Sequence, residues 1–113
     1  MRVIYIFSLA LTLLLAGCDN APKFDGANQE SLRYSGEKVI EPLSPEQKQE
    51  LLTAISDTLS YYNTEAMING DKNYSPDKMR LVILNGKTAN QIISEAKDYR
   101  EKKEKLIQQY KSK

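Results

Sequence analysis

Apolar residues between Gln29 and the C-terminus recur at intervals of three and four, the spacing of amphipathic helices, and most of these stretches open on a recognisable start signal. Leu32, Val39, Ile40 and Leu43 give a first, weak face that predicts a helix over about Gln29 to Glu41. Gly36 weakens it by about 1 kcal/mol relative to Ala. Pro42 ends it, because proline disfavours helical geometry in the residue before it. Ser44-Pro45-Glu46-Gln47 then places a cap, a first-turn proline and a capping-box glutamine ahead of Leu51, Leu52, Ile55, Leu59 and Tyr62. This second helix should reach about Tyr62, with a pattern able to continue to Ile68 before Asn69-Gly70 breaks it.

Ser75-Pro76-Asp77 repeats the start signal for a short third helix carrying Met79, Val82 and Ile83. The apolar run Leu81 to Leu84 also suits a buried strand, since periodicity cannot separate the two over four residues. Asn85-Gly86 is a helix stop, with Gly86 free to adopt the left-handed conformation. Thr88 and Gln91 form a second capping box, and Ile92, Ala96, Tyr99, Lys103, Leu106 and Tyr110 share one face of a helix to about Tyr110. The expected fold is therefore all-α, a small bundle of three to four helices over 29–113.

The N-terminus follows a different pattern. Met1-Arg2 precedes Val3 to Leu15, apolar except for Ser8 and Thr12, and small residues follow at Ala16 and Gly17. A basic start, a short apolar stretch and small residues before a cut site describe a secretory signal over 1–17. The stretch falls short of the roughly 20 residues of an ordinary spanning helix. Asp19 to about Asn28 is rich in Asn, Pro, Gly and Asp with only Phe24 bulky, so 18–28 is expected to be a tether.

Composition narrows the function. The 113 residues include 16 Lys+Arg, 15 Asp+Glu, no His, no Trp and one Cys. This near balance offers no concentrated basic excess for a nucleic acid. Without His the commonest general base and metal ligand is missing, and one Cys permits neither an internal disulfide nor a Cys-based zinc site. The expectation is a non-enzymatic protein with no cofactor and no metal.

The remaining motifs fail on inspection. Asp71-x-Asn73-x-Ser75 opens like a calcium loop, but Pro76 stands where Gly is required and Val82 where Glu is required. Gly86-Lys87-Thr88 is reminiscent of a phosphate loop, but Leu81 occupies the position of its first glycine. Carboxylate pairs such as Glu46/Glu50 and Glu101/Glu104 are ordinary for exposed helix faces. The stretch Lys97 to Lys113 has seven basic and three acidic residues, suiting a solvated face with i,i+4 pairs better than a headgroup-binding tail. Tyr61, Tyr62 and Tyr74 flank the Asn69-Gly70 turn and are candidates for contact with a protein partner, tyrosine being apolar along its ring and polar at its tip.

Leu15-Ala16-Gly17-Cys18 resembles the lipobox of bacterial lipoproteins. That resemblance implies cleavage between Gly17 and Cys18, a diacylglyceryl group on the Cys18 thiol, and a mature chain from Cys18 to Lys113. Two or three acyl chains hold a protein to a membrane where one binds only marginally. In enterobacterial lipoproteins an Asp following the acylated Cys looks like a signal for inner-membrane retention, which would give Asp19 a sorting role.

More widely, the chain resembles small uncharacterised bacterial lipoproteins carrying a domain of unknown function. Phe24-Asp25-Gly26, Leu43-Ser44-Pro45-Glu46 and Leu84-Asn85-Gly86-Lys87-Thr88-Ala89, with Ile92-Ile93 and Glu95-Ala96, carry the likeness. It brings no catalytic residues. The resulting expectation is a periplasm-facing lipoprotein that binds another envelope protein, for instance of immunity or exclusion type. A structural lipoprotein contacting cell wall and an accessory subunit of an envelope enzyme are the alternatives.

Overall fold

The computed structural model describes residues 21–113, which form four helices. These are α1 (Gln29–Ile40), α2 (Pro45–Asn69), α3 (Pro76–Leu84) and α4 (Ala89–Lys111). The all-α expectation holds, and Leu81 to Leu84 belongs to a helix.

Each helix start is fixed by the side chain before it. Asn28 accepts from the Ser31 N–H, and Ser75 from the Lys78 N–H. Ser44 and Thr88 make reciprocal capping boxes: each hydroxyl accepts from the N3 backbone N–H, three residues on, at 3.2 Å, while the side-chain oxygens of Gln47 and Gln91 accept from the cap N–H at 2.9 Å. A cap of this kind contributes about 1 kcal/mol. α2 ends on Gly70 at φ +64°, and the turn after α3 passes through Gly86 at φ +76°. Both positions lie in the left-handed region that glycine enters without a Cβ clash.

α2 runs well past Tyr62, at 25 residues. Up to Tyr62 it packs against α4. Ile93 lies beside Glu50 and Ala54, Arg100 bonds to Asp57 at 2.9 Å, and the Tyr62 and Tyr99 hydroxyls are 3.1 Å apart. Position along α4 therefore advances with position along α2. The two long helices are parallel, and α3 supplies the return.

The core joins all four helices, with Leu32 and Val39 from α1, Leu51, Ala54 and Leu59 from α2, Ile83 and Leu84 from α3, and Ala89, Ile92 and Ala96 from α4. Ala96 is wholly buried, and its small size lets α4 approach its neighbours closely. Burial fades along the predicted α4 face. Ile92 and Ala96 are buried, Tyr99, Lys103 and Leu106 half-buried, and Tyr110 exposed. The buried polar side chains are satisfied: the Thr58 hydroxyl donates to the Ala54 carbonyl at 2.9 Å, and Thr88 caps α4.

One expectation needs correction. Residues 23–26, read from composition as tether, are part of the folded domain. Phe24 is only 5% exposed and belongs to the core. Its N–H donates to the Lys87 carbonyl at 2.9 Å, and its carbonyl accepts from the Gly86 N–H at 2.8 Å, beside an antiparallel bridge between Lys23 and Thr88. The polar residues around Phe24 serve this docking. Gly26 gives its N–H to Asn85 Oδ1 at 2.9 Å, and Asp25 gives its N–H to the Ser35 hydroxyl at 2.8 Å. Gly36 of α1 lies against the Phe24 ring, where a Cβ would make an ordinary van der Waals contact at 3.4 Å.

Candidate functional site

Cys18, Gly17 and Asp19, the residues of the acylation and sorting signals, lie outside the described residues, as does the 1–17 signal segment. The described residues begin at Ala21, and the first of them to pack are those of an N-terminal strap, 23–26.

The strap closes onto the α3–α4 turn, where Asn85, Gly86, Lys87 and Thr88 all have structural partners. Asn85 accepts from Gly26, Gly86 turns the chain, Lys87 Nζ pairs with Glu95, and Thr88 caps α4. A phosphate-binding loop would aim its backbone N–H groups and its lysine at an anion. Here the Gly86 N–H is given to Phe24 and the lysine to a carboxylate. The Gly-Lys-Thr triplet therefore builds a helix stop and a cap. The Asp71 region resolves in the same way: Asp71 accepts from the Asn73 N–H in a tight turn, and Asp77 pairs with Arg80 within α3. Among the described residues no group of three or more Cys, Asp or Glu is arranged to hold a metal ion.

The tyrosines divide. Tyr61 and Tyr62 come together, joined by Tyr99 from α4, which sequence reasoning placed on the right helix face without pairing it to them. Ring centroids lie 5.1 Å apart for Tyr61–Tyr62, 5.6 Å for Tyr61–Tyr99 and 5.5 Å for Tyr62–Tyr99, the first pair edge to face. Such pairs contribute about 0.5–1.5 kcal/mol beyond burial. Tyr61 donates to Glu65 at 3.0 Å, and the Lys102 ammonium lies 5.0 Å from the Tyr99 ring centre. Burial is the main cause holding both Tyr61 and Tyr62 protonated to higher pH than an ordinary tyrosine, with the Glu65 and Tyr99 hydrogen bonds next. These phenols are half-buried and occupied with one another, so the cluster's chemistry is that of a seam between α2 and α4.

Tyr74 stands apart, hydrogen-bonded to Asn63 and beside Met67 and Pro76. Its pKa is raised by burial alone.

The surface offers apolar side chains elsewhere. Leu52 is 57% exposed at the edge of a shallow groove between α2 and α3, whose floor includes Ile55 and Leu59 and whose rim carries Arg80 and Asn63. Met67 and Val82 are exposed on the same two helices. The groove is open, a shape that suits a protein surface better than an enclosed small molecule. No described helix is long and apolar enough to cross a membrane.

No curated protein and no solved structure is detectably similar to this chain. Residues 4–101 match a family of unknown function (DUF6694), spanning the N-terminal apolar segment, the strap, α1 to α3 and about half of α4, and the chain belongs to that family.

Proposed function

We propose that this protein is a bacterial lipoprotein, cleaved between Gly17 and Cys18 and acylated on Cys18, which presents its helical domain at the periplasmic side of a membrane to bind another envelope protein. The observation that carries the proposal is Leu15-Ala16-Gly17-Cys18 closing a basic-then-apolar leader. The structure is compatible with that processing, since the core of the described residues draws on Phe24 and residues after it, beyond the cleavage point. For binding, the α2–α3 groove supplies exposed Leu52 above Ile55 and Leu59, an apolar centre with a polar rim. Asp19 favours the inner membrane if the organism is enterobacterial. An immunity or exclusion role, in which the domain blocks a toxin or a mating partner, is one concrete form of this reading.

Three measurements test it. Mass spectrometry of the N-terminal peptide should find acyl chains on Cys18, and Cys18→Ala should release the protein from salt-washed membranes. A photo-crosslinking residue at Leu52, introduced in cells, should capture one defined envelope or secreted protein, with capture lost in an Ile55→Glu background. Retention of Cys18→Ala on membranes would overturn the anchor. Crosslinks only to cell wall would overturn the protein-binding reading in favour of a structural one.

A further inference from the structure

We infer that one face of the second half of α4, carrying Tyr99, Lys102, Lys103, Leu106 and Tyr110, is a docking surface for an acidic, amphipathic segment of a protein partner. This goes beyond the groove at Leu52: the face belongs to α4, at its seam with α2, and it serves whether or not Cys18 is acylated.

The first argument is charge. Lys97 to Lys113 holds seven basic and three acidic residues, whereas residues 21–96 hold eight basic and eleven acidic. The positive surplus is thus gathered at the C-terminal end of the fold. The i,i+4 pairs expected to neutralise this stretch do not form. Of the three ion pairs among the described residues, only the one made by Arg100 involves it, and that pair crosses to Asp57 of α2. Round the helix, at about 100° per residue, Tyr99, Lys102, Lys103, Leu106 and Tyr110 fall within about 100° of one another. Glu101 and Glu104 fall on the far side, and Asp98 about a quarter-turn from the centre of the face. The face therefore sets two lysines among two phenols and a leucine, with no carboxylate from α4. On the α2 side of the seam, Glu65 is engaged by the Tyr61 hydroxyl at 3.0 Å.

The second argument is what the fold leaves uncovered. α2 has no buried residue after Leu59 and α4 none after Ala96, so beyond that level the seam between them is not closed over. Tyr99 and Leu106 are half-buried there, and Tyr110 is 60% exposed. The Lys102 ammonium lies 5.0 Å from the Tyr99 ring centre, which keeps the cation at the edge of this apolar strip. Aromatic centres with charged edges are the make-up of a protein interface, the charges guiding encounter and the rings supplying contact. Side chains of a partner can enter the angle between two helices and cover half-buried rings, which a flat layer of headgroups cannot do. A second copy would bring the same lysines against these, a repulsive arrangement, so the fitting partner carries carboxylates.

The test uses the full chain in a neutral detergent, with empty micelles as the blank. The probe is a synthetic helical peptide with leucine along one face, glutamate along both flanks and a single tryptophan. The chain itself has no Trp, so the anisotropy of the peptide's tryptophan reports binding alone. The expected result is saturable binding that weakens at least about tenfold in Lys102→Glu with Lys103→Glu, and less than about twofold in Lys97→Glu with Lys105→Glu, which makes the same change of net charge outside the face. Tyr110→Ala, at an exposed position, should weaken binding several-fold and keeps the test valid should the lysine variants disturb the helix. Equal losses in the two double variants, no loss in Tyr110→Ala, or equally tight binding of a counterpart peptide with glutamine in place of glutamate would each overturn the inference. Displacement of the peptide when phosphatidylglycerol is mixed into the micelles would overturn it in favour of a lipid headgroup, and dimerisation abolished by Lys102→Glu with Lys103→Glu would overturn it in favour of a second copy. None of these outcomes bears on acylation of Cys18 or on capture at Leu52, so this inference and the proposed function fail separately.

Discussion

Removing the Phe24 ring is the sharpest perturbation of this fold, because it asks whether the strap is part of the core. Phe24 is 5% exposed, so Phe24→Ala withdraws almost the whole ring from apolar surroundings. Truncations of this type cost about 3–5 kcal/mol where the site cannot collapse. The strap can peel away, however, so the loss cannot exceed what docking the strap contributes, and we expect the lower end, about 3 kcal/mol. Gly26→Ala acts on the same element from its other side. A Cβ at position 26 would stand 2.2 Å from the Leu81 carbonyl oxygen and 2.7 Å from Asn85 Cβ, so the backbone must move and the bond to Asn85 is lost. If each change undocks the same strap, the double variant should be little worse than either single one, a coupling of about 2 kcal/mol or more in a double-mutant cycle. Urea unfolding of the chain beginning at Asp19, followed by circular dichroism, reads this directly. At a slope of about 1 kcal/mol/M the midpoint should fall by roughly 3 M for each single variant. Additive losses, or a Phe24→Ala cost below about 1 kcal/mol, would refute a docked strap acting as one unit.

Further variants probe the other elements. Thr88→Ala removes the α4 cap at a buried position and should cost about 1–2 kcal/mol in thermal unfolding, with Thr88→Ser restoring most of it. Ala96→Leu adds volume where there is no exposure and should cost about 1–3 kcal/mol at an unchanged urea slope. Asp57→Asn breaks the partly exposed pair with Arg100 and should cost no more than about 0.5 kcal/mol, shrinking further in high salt. Burial and the Tyr99 hydrogen bond raise the Tyr62 pKa in the folded state, so the folded form holds its proton more tightly than the unfolded chain does. That contribution is complete below the ordinary value of 10.0 and is lost as pH rises above it. Tyr62→Phe should therefore flatten the decline of stability above pH 10.0, and an unchanged decline would contradict the assignment.

The helix starts were legible because each is a local matter: Ser44 with Gln47, Thr88 with Gln91 and Ser75 with Pro76 all lie within one turn. The strap was not legible, because the partners of Phe24 are Gly86 and Lys87, more than sixty positions away in a chain read locally. Composition called the segment polar, and it is; the polar residues close hydrogen bonds around one buried ring. The same limit explains the tyrosines. Periodicity put Tyr99 on the inner face of α4, but only the parallel pairing of α2 and α4 brings it to Tyr61 and Tyr62. Tyr74 is close to them in sequence and on another side of α2 in space, bonded to Asn63. α2 follows the longer of its two expected extents, to Asn69, where Gly70 closes it and Tyr74 bonds back to Asn63.

The strap also decides how the molecule would bear load. A pull applied from the N-terminal side is transmitted to the described fold through this strap. It enters at Lys23 and is resisted by the two hydrogen bonds of Phe24 and by the ring seated behind them. Those contacts are few and lie at the margin of the bundle, whereas α2 and α4 are paired over several turns deeper inside. The strap would therefore yield first, paying out the chain from Lys23 to Asn28 as slack while the four helices stayed packed. It is placed as a mechanical fuse between whatever holds the N-terminus and the domain that it carries.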